Sequence, residues 1–112
     1  MGMLIYGGAE MTVSFDDRTL AHLQVVIGRK LGRRERFFFS WTDSGSVGSG
    51  RSAIWMDPSI PLSFVYRSSR SITINQDWLR ELSDAANAND GLVYRPEPGD
   101  DDAKARLPRS HV

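Results

Sequence analysis

Residues 48–53 read Gly-Ser-Gly-Arg-Ser-Ala, the string G-x-G-x-x-A that wraps a pyrophosphate in dinucleotide-binding proteins. That chemistry needs a strand before the string and a helix after it, so that the first helical amides meet the anion. Here "IWMDP" follows, and Pro58 closes the stretch before a helix can develop. The Gly-Lys-Ser/Thr of a phosphate loop is also missing. A kinase-type glycine hairpin is closer in geometry, but it works with a second-strand lysine and a catalytic aspartate loop that this chain lacks. The simpler reading is a flexible connection between two strands. Arg51 at its end is then a candidate anion ligand through its fork of donors.

A second group is basic. At about 100° per residue, Arg18, His22, Arg29 and Arg33 fall within about 60° of one another on a helical wheel. Lys30, Arg34 and Arg36 lie close by in sequence. Such a row of long cations suits phosphate contacts, against the plainer reading of a solvated helix face. His22 has Val26 rather than a second ligand at i+4, so no metal site is expected there, and no serine or aspartate stands at a recognisable triad spacing from it. Trp41 and Trp55 flank the glycine loop and are candidate stacking residues for a base or sugar, if they are not core. Asp43 and Asp57 also flank it, as candidate partners in acid/base work or cation binding, or as turn formers. No motif calls for a cofactor.

These residues need elements to hold them. "MLIYG" and "AEMTVSF" read as a hairpin turning at Gly7-Gly8, with Met11, Val13 and Phe15 on one face. In "DDRTLAHLQVVIGRKLGRR", Leu20, Leu23, Ile27 and Leu31 follow helical spacing, with Asp16 or Asp17 as cap and cations gathered at the far end. Strands follow in "ERFFFSWT", "RSAIWMD" and "LSFVYR", the last two separated by "PSIP". The alternation sets Phe37, Phe39 and Trp41 on one face and Phe38 with Ser40 on the other. A second helix begins at Asn75, with Trp78, Leu79, Leu82, Ala85 and Ala86 as its inner face. Gly91 ends it, and "LVYRPEP" offers an edge strand. Residues 99–112 are charged and poor in large apolar groups, and read as a disordered tail.

The chain has 112 residues, 40% of them hydrophobic, which is room for one domain with a true core. Its 14 basic and 14 acidic side chains cancel, which argues against a dedicated polyanion binder but leaves a local basic face open. The lack of cysteine removes disulfides, thiolate metal sites and cysteine nucleophiles. No apolar run approaches the roughly 20 residues that span a bilayer. A cytoplasmic location is the expectation, with no membrane partner.

"FDDRTLAHLQVVI", "FFFSWTD", "VGSGRSAIWMDPSIPLSFVY" and "INQDWLRELSDAAN" together resemble a family of small uncharacterised actinobacterial proteins, classed as a domain of unknown function, over about residues 1–98. The resemblance implies a bacterial cytoplasmic setting. Members often carry the automatic name ATP-dependent DNA ligase. A ligase of that kind carries AMP on a lysine in a K-x-D-G setting, whereas Lys30 stands in "KLGR" and Lys104 in "KARL". The resemblance therefore transfers no catalytic residue.

The sequence thus predicts one α+β domain over residues 1–98 in the order ββαβββα with a possible last strand, an antiparallel sheet covered on one face by both helices. Its expected role is a binding or interaction module with a nucleic-acid or protein partner, a nucleic-acid accessory being the specific form. The alternatives are a nucleotide binder under the ligase label and a homo-oligomer built through an open sheet edge.

Overall fold

The computed structural model describes residues 1–43, 50–100 and 108–111. The first strands, β1 (Gly2–Tyr6) and β2 (Met11–Phe15), pair antiparallel with Tyr6 opposite Met11. Four residues join them rather than a two-residue turn. Gly7, Gly8 and Ala9 all take left-handed φ, near +64°, +67° and +75°, a region that glycine enters without steric cost.

Helix α1 (Asp17–Gly32) starts where Asp16 accepts the Thr19 amide and hydroxyl. Leu20, Leu23 and Ile27 are buried as their spacing predicts. The buried arc is wider, however, and takes in Thr19, His22, Val26 and Lys30. Those four lie toward helix α2 (Gln76–Ala86), which packs alongside α1. A second helix beside the first thus turns half of its polar-looking side inward. In α2 the capping carboxamide of Asn75 accepts the Asp77 and Trp78 amides, and the expected inner face is the buried one.

The α+β class and the element order agree with the sequence. The strands, however, form two sheets where the sequence suggests one. The first sheet holds β1 and β2 with β5 (Leu62–Val65) and β7 (Arg109–His111), in the order β5-β1-β2-β7. The second holds β3 (Phe37–Thr42), β4 (Arg51–Met56) and β6 (Leu92–Val93), in the order β4-β3-β6. The break has a local cause. After β3 and β4, the prolines at 58 and 61 prevent a ladder from continuing. Asp57 closes a turn there by accepting the amide and hydroxyl of Ser59. The chain then crosses over, and β5 pairs with β1 instead of β4.

Strand β6 lies parallel to β3. Gly91 makes this approach possible: a Cβ there would stand 2.5 Å from the Phe38 carbonyl oxygen, and its φ of +77° is left-handed. Finally β7 pairs with β2, Thr12 opposite His111. The reading of residues 99–112 as a tail did not anticipate this strand. Residues 101–107 and 112 lie outside the described set. The core gathers between the sheets and under the helices, where Phe15 of the first sheet and Phe39 of the second stand 6.1 Å apart between ring centroids.

Candidate functional site

The β3–β4 register decides what the aromatic residues can do. Phe37, Phe39, Trp41, Ile54 and Met56 are buried, so alternation turns Phe38, Ser40, Thr42, Arg51, Ala53 and Trp55 outward. Trp41 and Trp55 are therefore on opposite faces, and the stacking pair expected from their flanking positions does not form. Trp41 is 1% exposed, and its indole N–H donates to Asp43 at 2.9 Å. Trp55 instead meets Phe38, its cross-strand partner, in an edge-on pair with centroids 5.0 Å apart. Both rings stay wet, at 52% for Phe38 and 42% for Trp55. The alternation in "FFFSW" had already placed Phe38 outward; only the register shows which residue it meets.

Beyond that pair the outward residues of β3 and β4 are small and uncharged until Arg51. Ser40 lies opposite Ala53, and Thr42 opposite Arg51. Arg51 is exposed and has no ion-pair partner among the described residues. It stands four residues along β4 from Trp55, about 13 Å at the usual strand rise. At the aromatic end Arg36 binds Asp57 at 2.8 Å, and the two charges cancel. Gly50, Arg51, Ser52 and Ala53 are the described part of the glycine motif, the last three within β4 rather than a helix; residues 44–49, Gly48 and Ser49 among them, lie outside the described set.

The basic row on α1 is divided by its surroundings. Arg18 forks onto Glu97 at 2.9 and 2.7 Å and donates to the Thr73 carbonyl. His22 is wholly buried rather than on a polar face, its ring 4.4 Å from that of Trp78. The Asn75 amide can only donate, so the Nε2 it meets at 2.9 Å holds the lone pair. The proton is then on Nδ1, which donates to the Arg18 carbonyl at 2.7 Å. Burial pushes this imidazole below its ordinary value, against the raising effect of the Arg18 carbonyl. His22 is thus a neutral strut between α1 and the start of α2.

Lys30 is 8% exposed, donates to Asn87, binds Glu35 at 3.0 Å and lies over the Phe37 ring. Arg33 shares that carboxylate. Their hydrogen bonds hold Glu35 down at about 2. Arg29 and Arg34 remain as exposed cations of the row. The row is thus a set of anchors with two free ends.

Asp43 and Asp57 do not meet. They terminate opposite ends of the hairpin, roughly 20 Å apart at the usual strand rise. Asp57 forms the turn already described. Asp43 accepts from the Trp41 indole, the Ser52 hydroxyl, and both the amide and the hydroxyl of Ser110, the last two at 3.0 and 2.6 Å. Burial pushes its carboxyl upward, yet the hydrogen bonds from Ser110, Ser52 and Trp41 prevail and hold it below its ordinary value. Among the described residues no group of three metal-binding side chains could hold an ion, and no helix is long and apolar enough to cross a membrane.

The geometry defines a small α+β domain of two sheets and two helices, with one exposed aromatic pair on an otherwise plain sheet face. The chain belongs to the family described as Domain of unknown function (DUF7882), whose model matches residues 1–97. No curated protein and no solved structure matches it.

Proposed function

We propose that this protein is a binding module whose working surface is the outer face of the second sheet, and that its partner is single-stranded nucleic acid. The observation that carries the reading is the wet Phe38–Trp55 pair. Two large rings left in water on a sheet face offer stacking to unpaired bases, and any base has a π-face to accept it. The small residues between the rings and Arg51 let a strand lie flat, and Arg51 meets its phosphate. The anchoring contacts of Arg18, His22, Lys30 and Arg33 favour this face over the α1 row as the main contact. The reading sets the module in the cytoplasm, where nucleic acid is within reach.

Trp55 makes the test direct, because Trp41 and Trp78 are each 1% exposed and Trp55 is the wet indole. A short oligothymidylate should quench the fluorescence of Trp55, and the affinity should fall steeply with salt. Phe38→Ala should weaken binding by roughly tenfold or more, on the basis of ~1–3 kcal/mol per stacked base. Arg51→Ala should flatten the salt dependence. Quenching that ignores Phe38→Ala, or no binding at low salt, would remove the reading; a duplex bound as tightly as the single strand would move the contact off this face.

A further inference from the structure

A different region carries a second site, independent of the sheet face. The segment from Tyr66 to Ile72 links β5 to α2 and lies against α1, and between them runs a groove of about 650 Å³. That is the size of an ordinary small-molecule site. It is lined by Ala21, Tyr66, Arg67, Ser68, Ser69, Arg70 and Ile72. Two guanidiniums and two serine hydroxyls line it, with no carboxylate. Neither Arg67 nor Arg70 has an ion-pair partner among the described residues. The small side chain of Ala21 leaves the floor open.

The segment is also held in shape. Asp17, in the first turn of α1, accepts the Arg67 and Ser68 amides at 3.1 and 2.9 Å. The Tyr66 hydroxyl donates to Gln24, two turns further along the helix, at 2.6 Å, and the Arg70 amide donates to the Ser68 hydroxyl. Asp17 is the nearby negative charge. Hydrogen bonding from the Arg67 amide holds its carboxyl below the ordinary range, so it stays ionised as a fixture of the loop. One such charge stands against two arginines. Two arginines three residues apart, in a loop tied to a helix and set against a single carboxylate, are suited to grip a tetrahedral anion.

We propose that this groove is a phosphate-binding site, with Arg67 and Arg70 gripping the phosphate oxygens and Ser68 and Ser69 donating to those left over. The phosphate can come from a small molecule or from the backbone of a nucleic acid, and both present the same oxygens. In an amide-resolved titration at low salt, inorganic phosphate, adenosine monophosphate and a short oligothymidylate serve as three probes. Shifts at residues 67–71 with the first two identify a small-molecule site, and shifts there with the oligonucleotide alone identify a backbone site; either supports the groove. Arg67→Ala with Arg70→Ala should abolish the shifts, and the double lysine variant should restore only part of the affinity, because the charge returns without the fork. With inorganic phosphate, which has no base to stack, Phe38→Ala should leave the shifts unchanged, which separates this site from the sheet face. No shift at residues 67–71 with any probe, or full binding in the double alanine variant, would overturn it.

Discussion

At the residue scale, His22 is where sequence and structure part most sharply, and the physical reason is clear. Periodicity places a side chain on a helix but does not say which neighbour covers it. His22 follows the spacing of Arg18 and Arg29, yet α2 packs on that flank, and the imidazole fills the gap with both nitrogens satisfied. Its lowered pKa has a definite sign in stability. The folded state binds its proton less readily than the unfolded chain does, so stability is fully present above the ordinary value of 6.5 and is lost as the pH falls below it. His22→Phe keeps a ring beside Trp78 but orphans the Asn75 amide. It should cost about 1–3 kcal/mol at neutral pH and flatten the loss below pH 6.5, as read by urea melts across that range. The caps, by contrast, were legible at once. Asn75 accepts the first amides of its helix as expected, and Asp16, one of the two residues offered for the first helix, does the same, because capping needs only the local chain.

At the element scale, every strand but β7 was readable from local pattern. Alternation and a turn signal suffice for β1, β2, β3 and β4. Strand β7 has neither: "RSH" holds no apolar residue, and its place depends on a carboxylate many residues away. Asp43 supplies that dependence by binding the Ser110 amide and hydroxyl with the oxygens that also serve Trp41 and Ser52. One aspartate thus ties the end of the β3–β4 hairpin to the edge of the other sheet. Asp43→Ala should loosen β7 and leave the Trp41 indole without a partner inside the core. Hydrogen exchange over Thr12–Ser14 and Arg109–His111 should quicken well beyond that of β1, and Ser52→Ala should not reproduce it. Equal protection in the Asp43 variant would show that the backbone ladder alone holds the strand.

At the scale of the whole molecule, the bond between Arg18 and Glu97 spans the chain, reaching from α1 to the segment after β6. The Arg18 hydrogen bonds, with help from Asn75, hold the Glu97 carboxyl down at about 2, against an ordinary 4.5. A carboxylate lowered in this way supports the fold above its unfolded value and withdraws that support as acid protonates it. Stability should therefore fall between pH 4.5 and about 2, and Glu97→Gln should make that limb of a thermal-melt series shallower. The division of the strands has a broader consequence. In chain order they visit the first sheet, the second, the first, the second and the first again, and Thr12 ends beside His111. Neither layer can be completed from one uninterrupted stretch of polypeptide. Assembly must wait for distant partners to find each other, which slows it, and a break in the middle of the chain would leave two pieces, each holding half of what the other lacks.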